Sequence, residues 1–200
     1  MKLCFIDTET TGLDSKKNGV IQIGGIIIAK GERIIFNITS KPFESDVITE
    51  GALKANHMDR KQISMFQEPR EAYLDFTSIL EDYVDKFNAF DKLFFIAYNA
   101  NFDWSFLWEW FSKNGDKFFA SYFFFPYIDL MTIAAFMDME NRHKYKSMKL
   151  GDMCRIYNVE VVEAEQHDAV YDARLVEKLF YKLLERKGGD FNKMVSQSLI

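Results

Sequence analysis

Asp7 and Glu9 stand at i and i+2 at the end of an apolar run, within Phe5-Ile6-Asp7-Thr8-Glu9-Thr10-Thr11-Gly12-Leu13. On a strand, side chains two apart share a face and lie roughly 6.5 Å from one another, a spacing that suits two acids sharing divalent cations. Hard cations take such oxygens. Two further acids complete a candidate set: Asp103 in Tyr98-Asn99-Ala100-Asn101-Phe102-Asp103, and Asp172 in His167-Asp168-Ala169-Val170-Tyr171-Asp172. Residues five apart on a continuous helix are rotated by about 140°, so His167 and Asp172 would not share a face. His167 is therefore expected in the loop before a helix, with Asp172 projecting from its first turns.

The elements that would carry these groups are readable from periodicity. Lys2 to Asp7, Gly19 to Ala29 and Arg33 to Thr39 read as three consecutive strands rich in Ile, Val and Phe, with Gly31 turning the chain between the last two. Glu68 and Pro69 open a core-facing helix on which Tyr73, Phe76, Ile79, Leu80, Tyr83, Val84 and Phe87 recur at helical spacing. Leu93 to Tyr98 reads as a buried strand, followed by a helix from about Asp103 to Lys113. Helices follow at Asp129 to Met137, Ser147 to Tyr157 and His167 to Lys187. Strands that first run together and then alternate with helices predict an α/β fold, a mixed β-sheet flanked by α-helices.

Composition sets the outer bounds. With 200 residues, 48% hydrophobic and 16% aromatic, the chain can bury one sizeable core, so 1–187 is expected as a single domain. Gly188 and Gly189 are expected to end the last helix, leaving 188–200 as a short tail. No charged leader with a cleavable apolar segment opens the chain and no apolar run approaches the ~18 residues needed to span a membrane, which predicts a soluble, cytoplasmic protein. Cys4 and Cys154 are the only cysteines, which is neither a disulfide framework nor a metal motif.

Asp7, Glu9, Asp103 and Asp172, in that order and with His167 five residues before the last, resemble the motifs of the DEDDh branch of the DnaQ-like 3'-5' exonucleases. Tyr127-Ile128-Asp129-Leu130-Met131-Thr132-Ile133-Ala134 and Met148-Lys149-Leu150-Gly151-Asp152-Met153-Cys154 are similar to that family's helical segments between the second and third acidic motifs. The resemblance covers nearly the whole chain. One departure stands out: a His often precedes the Asn of the second motif, and Tyr98 stands there in this chain. The resemblance implies a ribonuclease-H-like fold and hydrolysis of phosphodiester bonds at a nucleic-acid 3' end, with two Mg²⁺ ions that Mn²⁺ can replace. Asp7 would bridge both ions, Glu9 and Asp172 would complete the water-activating site, and Asp103 would support the second ion. Zinc is less attractive without a His/Cys cage.

His167 is then the candidate general base, since imidazole titrates near neutrality. His57 and His143 lack its offset to an acid and are expected on the substrate side or at the surface. By position in the family, Thr10, Thr11, Gly12 and Leu13 contact the 3'-terminal nucleotide, the first three through backbone N–H groups and the bare Cα of Gly12, and Leu13 as a wedge against the last base. The competing reading of that stretch is a polar turn capped by glycine. Phe102 either stacks on a base or packs into the core.

The formal charge of −5 decides little, because four acids would share one pocket with two cations. Lys16, Lys17, Lys54, Arg60 and Lys61 are scattered, whereas Arg142, His143, Lys144, Lys146 and Lys149 form one polar stretch that either meets phosphates or is a solvated loop. The span from Phe87 to Tyr127 is dense in aromatics, including Trp104, Trp108, Trp110 and Phe123-Phe124-Phe125. Most belong in the core. Exposed ones would fit a base-stacking channel, a DNA polymerase or a second copy of the chain in a homodimer. Single-stranded or frayed DNA is the favoured substrate and RNA the alternative, because the metal chemistry is indifferent to the sugar. A non-catalytic binding module would not need all four acids together with His167.

Overall fold

The computed structural model describes residues 1–186, and the tail expected at 188–200, with Gly188 and Gly189, lies outside them. A five-stranded mixed sheet runs through the molecule. Its strands are β1 (Leu3–Thr10), β2 (Val20–Ala29), β3 (Glu32–Thr39), β4 (Leu93–Ala97) and β5 (Phe123–Asp129), in the spatial order β3-β2-β1-β4-β5. β2 is antiparallel to β1 and β3, whereas β4 is parallel to β1 and β5. The helices are α1 (Glu50–Ala55), α2 (Arg60–Ser64), α3 (Pro69–Glu81), α4 (Ala100–Lys113), α5 (Leu130–Met137), α6 (Leu150–Ile156) and α7 (Ala169–Arg186).

Alternation along β1 and β2 distributes apolar side chains to both faces, as expected of central strands covered on both sides. Cys4, Ile6, Ile23, Ile27 and Phe95 meet Phe76 of α3 and Phe106, Trp110 and Phe111 of α4. On the opposite face Phe5, Ile26, Ile28 and Ile96 meet Met153 of α6 and Leu175, Leu179 and Phe180 of α7, with Phe5 and Phe180 edge to face at 5.2 Å. Burying each such side chain is worth about 1.5–3 kcal/mol, so both layers are needed to hold the sheet between them.

Boundaries differ from the periodic pattern where tertiary contacts override it. β1 continues through Glu9 to Thr10, so both acids of the first motif lie on a paired strand, opposite Gly24 and Gln22 of β2. Lys30 and Gly31 at φ 54° and 78° make the hairpin turn. α3 stops at Glu81; Tyr83 and Val84 still bury beyond it, but Phe87 is 90% exposed and faces no core. α4 begins three residues before the expected Asp103, because Asp129 accepts hydrogen bonds from the N–H groups of Asn99 (2.9 Å) and Ala100 (3.4 Å) with Asn99 left-handed at φ 61°. β5 has no clear signal in the sequence, since Pro126 counts against a strand, yet the segment pairs in parallel with β4 at the sheet edge, where a missing N–H is tolerated. α1 and α2 also lack a periodic signal; both are short and polar, and Asp59 starts α2 with a reciprocal capping box.

Among the described residues no helix is long and apolar enough to cross a membrane.

Gly24 lets the sheet and α7 approach closely. A Cβ there would fall 2.2 Å from the carbonyl carbon of Ala169 and from the nitrogen of Val170, both backbone atoms at the start of α7. Gly24→Ala is therefore expected to push α7 off the sheet and cost about 1–3 kcal/mol in urea denaturation. An unchanged midpoint would show that the helix can be displaced freely.

Candidate active site

The carboxyl ends of the parallel strands β1 and β4 open beside one another, the usual place for a site in a sheet whose connections diverge there. Asp7 and Glu9 continue the alternation of Leu3 and Phe5 and so face α7. Asp103 comes from the first turn of α4 and Asp172 from the first turn of α7. Glu9 and Asp103 are buried, and Asp7 and Asp172 are half-buried.

Specific contacts fix each acid. The N–H and Oγ1 of Thr8 both donate to Asp103 Oδ1 at 2.9 Å, tying α4 to the middle of β1. The backbone N–H of His167 donates to Asp172 Oδ2 at 3.1 Å. His167 itself lies outside α7, left-handed at φ 67° and exposed. One donor atom each from Glu9, His167 and Asp172 lies within 4.8 Å of the other two, the one such His/Cys/Asp/Glu group among the described residues. The His57 ring, on the turn after α1 and left-handed at φ 53°, stands 6.2 Å from that of His167.

The electrostatics report an unneutralised cluster. Burial, then the charges of Asp103, Asp172, Glu9 and Asp168, holds the Asp7 carboxyl well above its ordinary range. Burial followed by Asp172, Asp103 and Asp168 pushes Glu9 up to about 8. Asp103 rises to about 7 through burial, against the opposing hydrogen bonds of Thr8, and Asp172 to about 6 through burial, against the His167 N–H. His167, though solvent-accessible, moves the other way, below its ordinary value, through partial enclosure in the cleft and then the nearby His57 and Lys149. Acids held this close favour either protons or cations. The donor set, carboxylate oxygens beside one imidazole, fits divalent metal ions, with Asp7, Glu9, Asp103 and Asp172 as the residues that could hold them.

The substrate-side expectations divide. Leu13 is 89% exposed and shares a groove of about 310 Å³ with Phe102, Asn101 and Ser105. Phe102 is half-buried, its ring 4.7 Å from that of Phe106, so it reaches both core and groove. Thr11 does not present an N–H outward: its N–H donates to the Gly19 carbonyl at 2.9 Å, and its buried hydroxyl donates to Val47 O and accepts from Gly19 N–H. Gly12 is buried, and its bare Cα makes room for the Asn18 side chain, which a Cβ would meet at 2.4 Å. Thr10 is buried, its hydroxyl donates to Gly12 O at 2.6 Å, and its carbonyl accepts from Asn56. These three residues shape the loop that displays Leu13.

Tyr98, the polar stretch and the tryptophans take the following places. Tyr98 donates its hydroxyl to the Met148 carbonyl, so the departure in the second motif buttresses the segment before α6. In the polar stretch, Arg142 donates to the Tyr145 carbonyl and Lys144 to Asn141, while Lys149 is near enough to act on His167. Trp110 is fully buried and Trp104 packs on Phe95, Phe119 and Tyr127, leaving Trp108 at 44% exposure. Sequence reasoning passes over Gln22 and Asp168. Gln22 is buried opposite Glu9, and Asp168 immediately precedes α7 and accepts from the Tyr171 N–H; a Gln inside an otherwise apolar strand and an Asp at N-cap spacing are the available signals.

Comparison with known proteins gives a consistent answer. A family model described as an exonuclease, RNase_T, matches residues 4–180. The PolC-type DNA polymerase III of Ureaplasma parvum is 26% identical over 94% of this chain, which spans 12% of that protein. The Ribonuclease T of Hahella chejuensis is 25% identical over 90% of this chain and 82% of its own length. Among solved structures, E. coli Exonuclease I in complex with a dT13 oligonucleotide superimposes with a TM-score of 0.72 over 92% of this chain and 41% of that one, at 17% identity. The sheet and its helical cover are thus the ribonuclease-H-like fold.

The raised carboxyls have a measurable consequence. Their ordinary values are 3.8 for aspartate and 4.5 for glutamate, and folding lifts them to between about 6 and about 8. Over that window the folded protein binds more protons than the unfolded chain, so stability is fully present below the ordinary values and declines as pH rises through the folded ones. The metal-free protein should accordingly lose Tm between about pH 5 and about pH 8, and excess Mg²⁺ should flatten the decline. A metal-free Tm that rises over this interval would contradict the clustering.

Proposed function

The chain belongs to the exonuclease family whose model spans residues 4–180, and from that premise we propose a metal-dependent 3'-5' exonuclease that releases nucleoside 5'-monophosphates from single-stranded or frayed DNA. The observation that carries this reading is the meeting of Glu9, His167 and Asp172 within 4.8 Å beside an Asp7 surrounded by four other acids. Such a set serves in-line hydrolysis of a phosphodiester and has no evident use in a passive binding module.

Two divalent cations, Mg²⁺ with Mn²⁺ as substitute, would supply positive charge for the phosphoryl and departing oxygens and an acidified water. Asp7, Glu9, Asp103 and Asp172 would hold the ions, with Glu9 and Asp172 on the water-activating side and Asp103, anchored by Thr8, supporting the other. His167 accepts the proton of the attacking water at a ring nitrogen, which its lowered pKa keeps vacant at neutral pH. The water oxygen bonds to phosphorus as the bond to the 3' oxygen breaks, and the departing 3' oxygen takes a proton from solvent, leaving a free 3' hydroxyl on the shortened strand and a 5'-monophosphate. Leu13 and Phe102 flank the groove where an unpaired terminal base would lie. His57 lines a second cleft together with His167, on the substrate side in this reading.

The preference for DNA draws on the PolC-type relatives and on the dT13 complex of E. coli Exonuclease I. RNA trimming is the second reading, favoured by a Ribonuclease T relative of which this chain covers 82%. A polymerase is the partner suggested by the PolC-type relatives, and exposed Phe118, Phe125 and Phe136 offer it or a second copy an apolar surface.

Strands of matched DNA and RNA sequence, labelled at the 5' end, should shorten stepwise from the 3' end with Mg²⁺ and not with chelator. Asp7→Asn should lower the rate by about 10³-fold or more, the scale expected when charge stabilisation is lost. Internal cuts, or full activity in that variant, would overturn the reading. The rate should also fall on acidification, as His167 takes up a proton, and a profile flat from mildly acidic to neutral pH would contradict its role.

A further inference from the structure

Three of the groups that must meet, Glu9, His167 and Asp172, come from two regions far apart in sequence, β1 and the start of α7. Something must set the start of α7 relative to β1. Gly24 permits the approach, but a bare Cα fixes no direction.

Gln22 of β2 is buried at 3% exposure and is the strand partner of Glu9. Its amide reaches the start of α7 twice. Nε2 donates to Asp168 Oδ2 at 3.0 Å, and Oε1 accepts from the Ala169 N–H at 3.3 Å. The same Nε2 donates to Asn37 Oδ1 of β3 at 3.0 Å, which fixes the amide's orientation from behind. Asp168 completes the set: its other oxygen, Oδ1, accepts from the Tyr171 N–H at 2.9 Å and caps the helix. One amide therefore joins the strand partner of Glu9 to the residue directly after His167 and to the first residue of α7.

We propose that Gln22 and Asp168 form a latch that positions His167 and Asp172 against Glu9, and that Gln22 is a positioning residue for the hydrolytic reaction. The latch rests on the exonuclease reading only for its effect on rate; its effect on the geometry of the acids stands without it. The polarity of the pair is specific. Gln22 must offer a donor to Asp168 and an acceptor to Ala169 at once. Gln22→Glu keeps the acceptor, loses the donor and sets a buried carboxylate against Asp168. Asp168→Asn keeps an oxygen for the cap and turns a donor toward the Gln22 donor. Together the two changes reverse the bond. The amide introduced at position 168 donates to the carboxylate introduced at position 22, the Ala169 N–H still donates to that carboxylate, the Asn37 amide turns to donate, and the total charge is conserved.

The test is a swap experiment on the full chain, with Gln22→Leu added as an uncharged variant of similar size. Each of Gln22→Leu, Gln22→Glu and Asp168→Asn should lower kcat by about 10–100-fold with KM for a short oligonucleotide little changed, the range seen when groups that orient metal ligands are removed. Each should also weaken Mn²⁺ binding in calorimetry, without substrate. The double variant Gln22→Glu with Asp168→Asn should recover to within about threefold of the starting protein in both readouts. A merely structural role would let the losses add. Losses that add, or single variants with unchanged kcat and Mn²⁺ affinity, would overturn the latch. If the unaltered chain bound Mn²⁺ but cut no nucleic acid, the exonuclease reading would fail while the Mn²⁺ series still decided the latch.

Discussion

Repulsion among buried carboxylates is the constraint around which this molecule is arranged. Asp7 lies within reach of the charges of Asp103, Asp172, Glu9 and Asp168, and burial removes the water that would screen them. Left alone, such a cluster opposes folding unless it takes up protons or cations. The rest of the structure supplies the opposing force. Apolar layers on both faces of the sheet clamp β1 between α4 and α7, and these two helices deliver the remaining acids. Repulsion among the acids is therefore held in by packing on either side of the strand that carries two of them.

Function follows from how little freedom that clamp leaves. Asp103 is pinned to Thr8 by two hydrogen bonds, so α4 cannot slide along the sheet without moving its acid. α7 sits on the bare Cα of Gly24, directly opposite Asp7 in the β1–β2 pairing, and is aimed by Gln22. His167 is held through its backbone: its residue is left-handed and its N–H donates to Asp172, so the turn that carries the imidazole is tied to the acid it stands beside.

Much of this is legible in the sequence. The i and i+2 spacing of Asp7 and Glu9 on an apolar run places both on one face of a strand, and the five-residue offset from His167 to Asp172 puts a helix start between them. The first three strands and α3 declare themselves through ordinary periodicity. What escapes does so for physical reasons. β5 is an edge strand, and an edge tolerates the Pro126 that would disqualify a central strand. α4 starts at Ala100 because Asp129, remote in sequence, satisfies its first N–H groups. The contacts of Thr11 with Gly19 and Val47, and of Gly12 with Asn18, are loop closures that leave no periodic trace. Gln22 stays hidden because one polar residue in an apolar strand acquires meaning only when its partner is known.

That the acids gather a pair of cations is the central claim, and electron paramagnetic resonance of the Mn²⁺-loaded protein tests it most directly. Two ions held together by Asp7, Glu9, Asp103 and Asp172 would be near enough for their spins to couple. The predicted spectrum is coupled at two Mn²⁺ per chain and reverts to that of an isolated ion in Asp172→Asn. A single uncoupled Mn²⁺ at saturation, or a spectrum indifferent to that substitution, would contradict it.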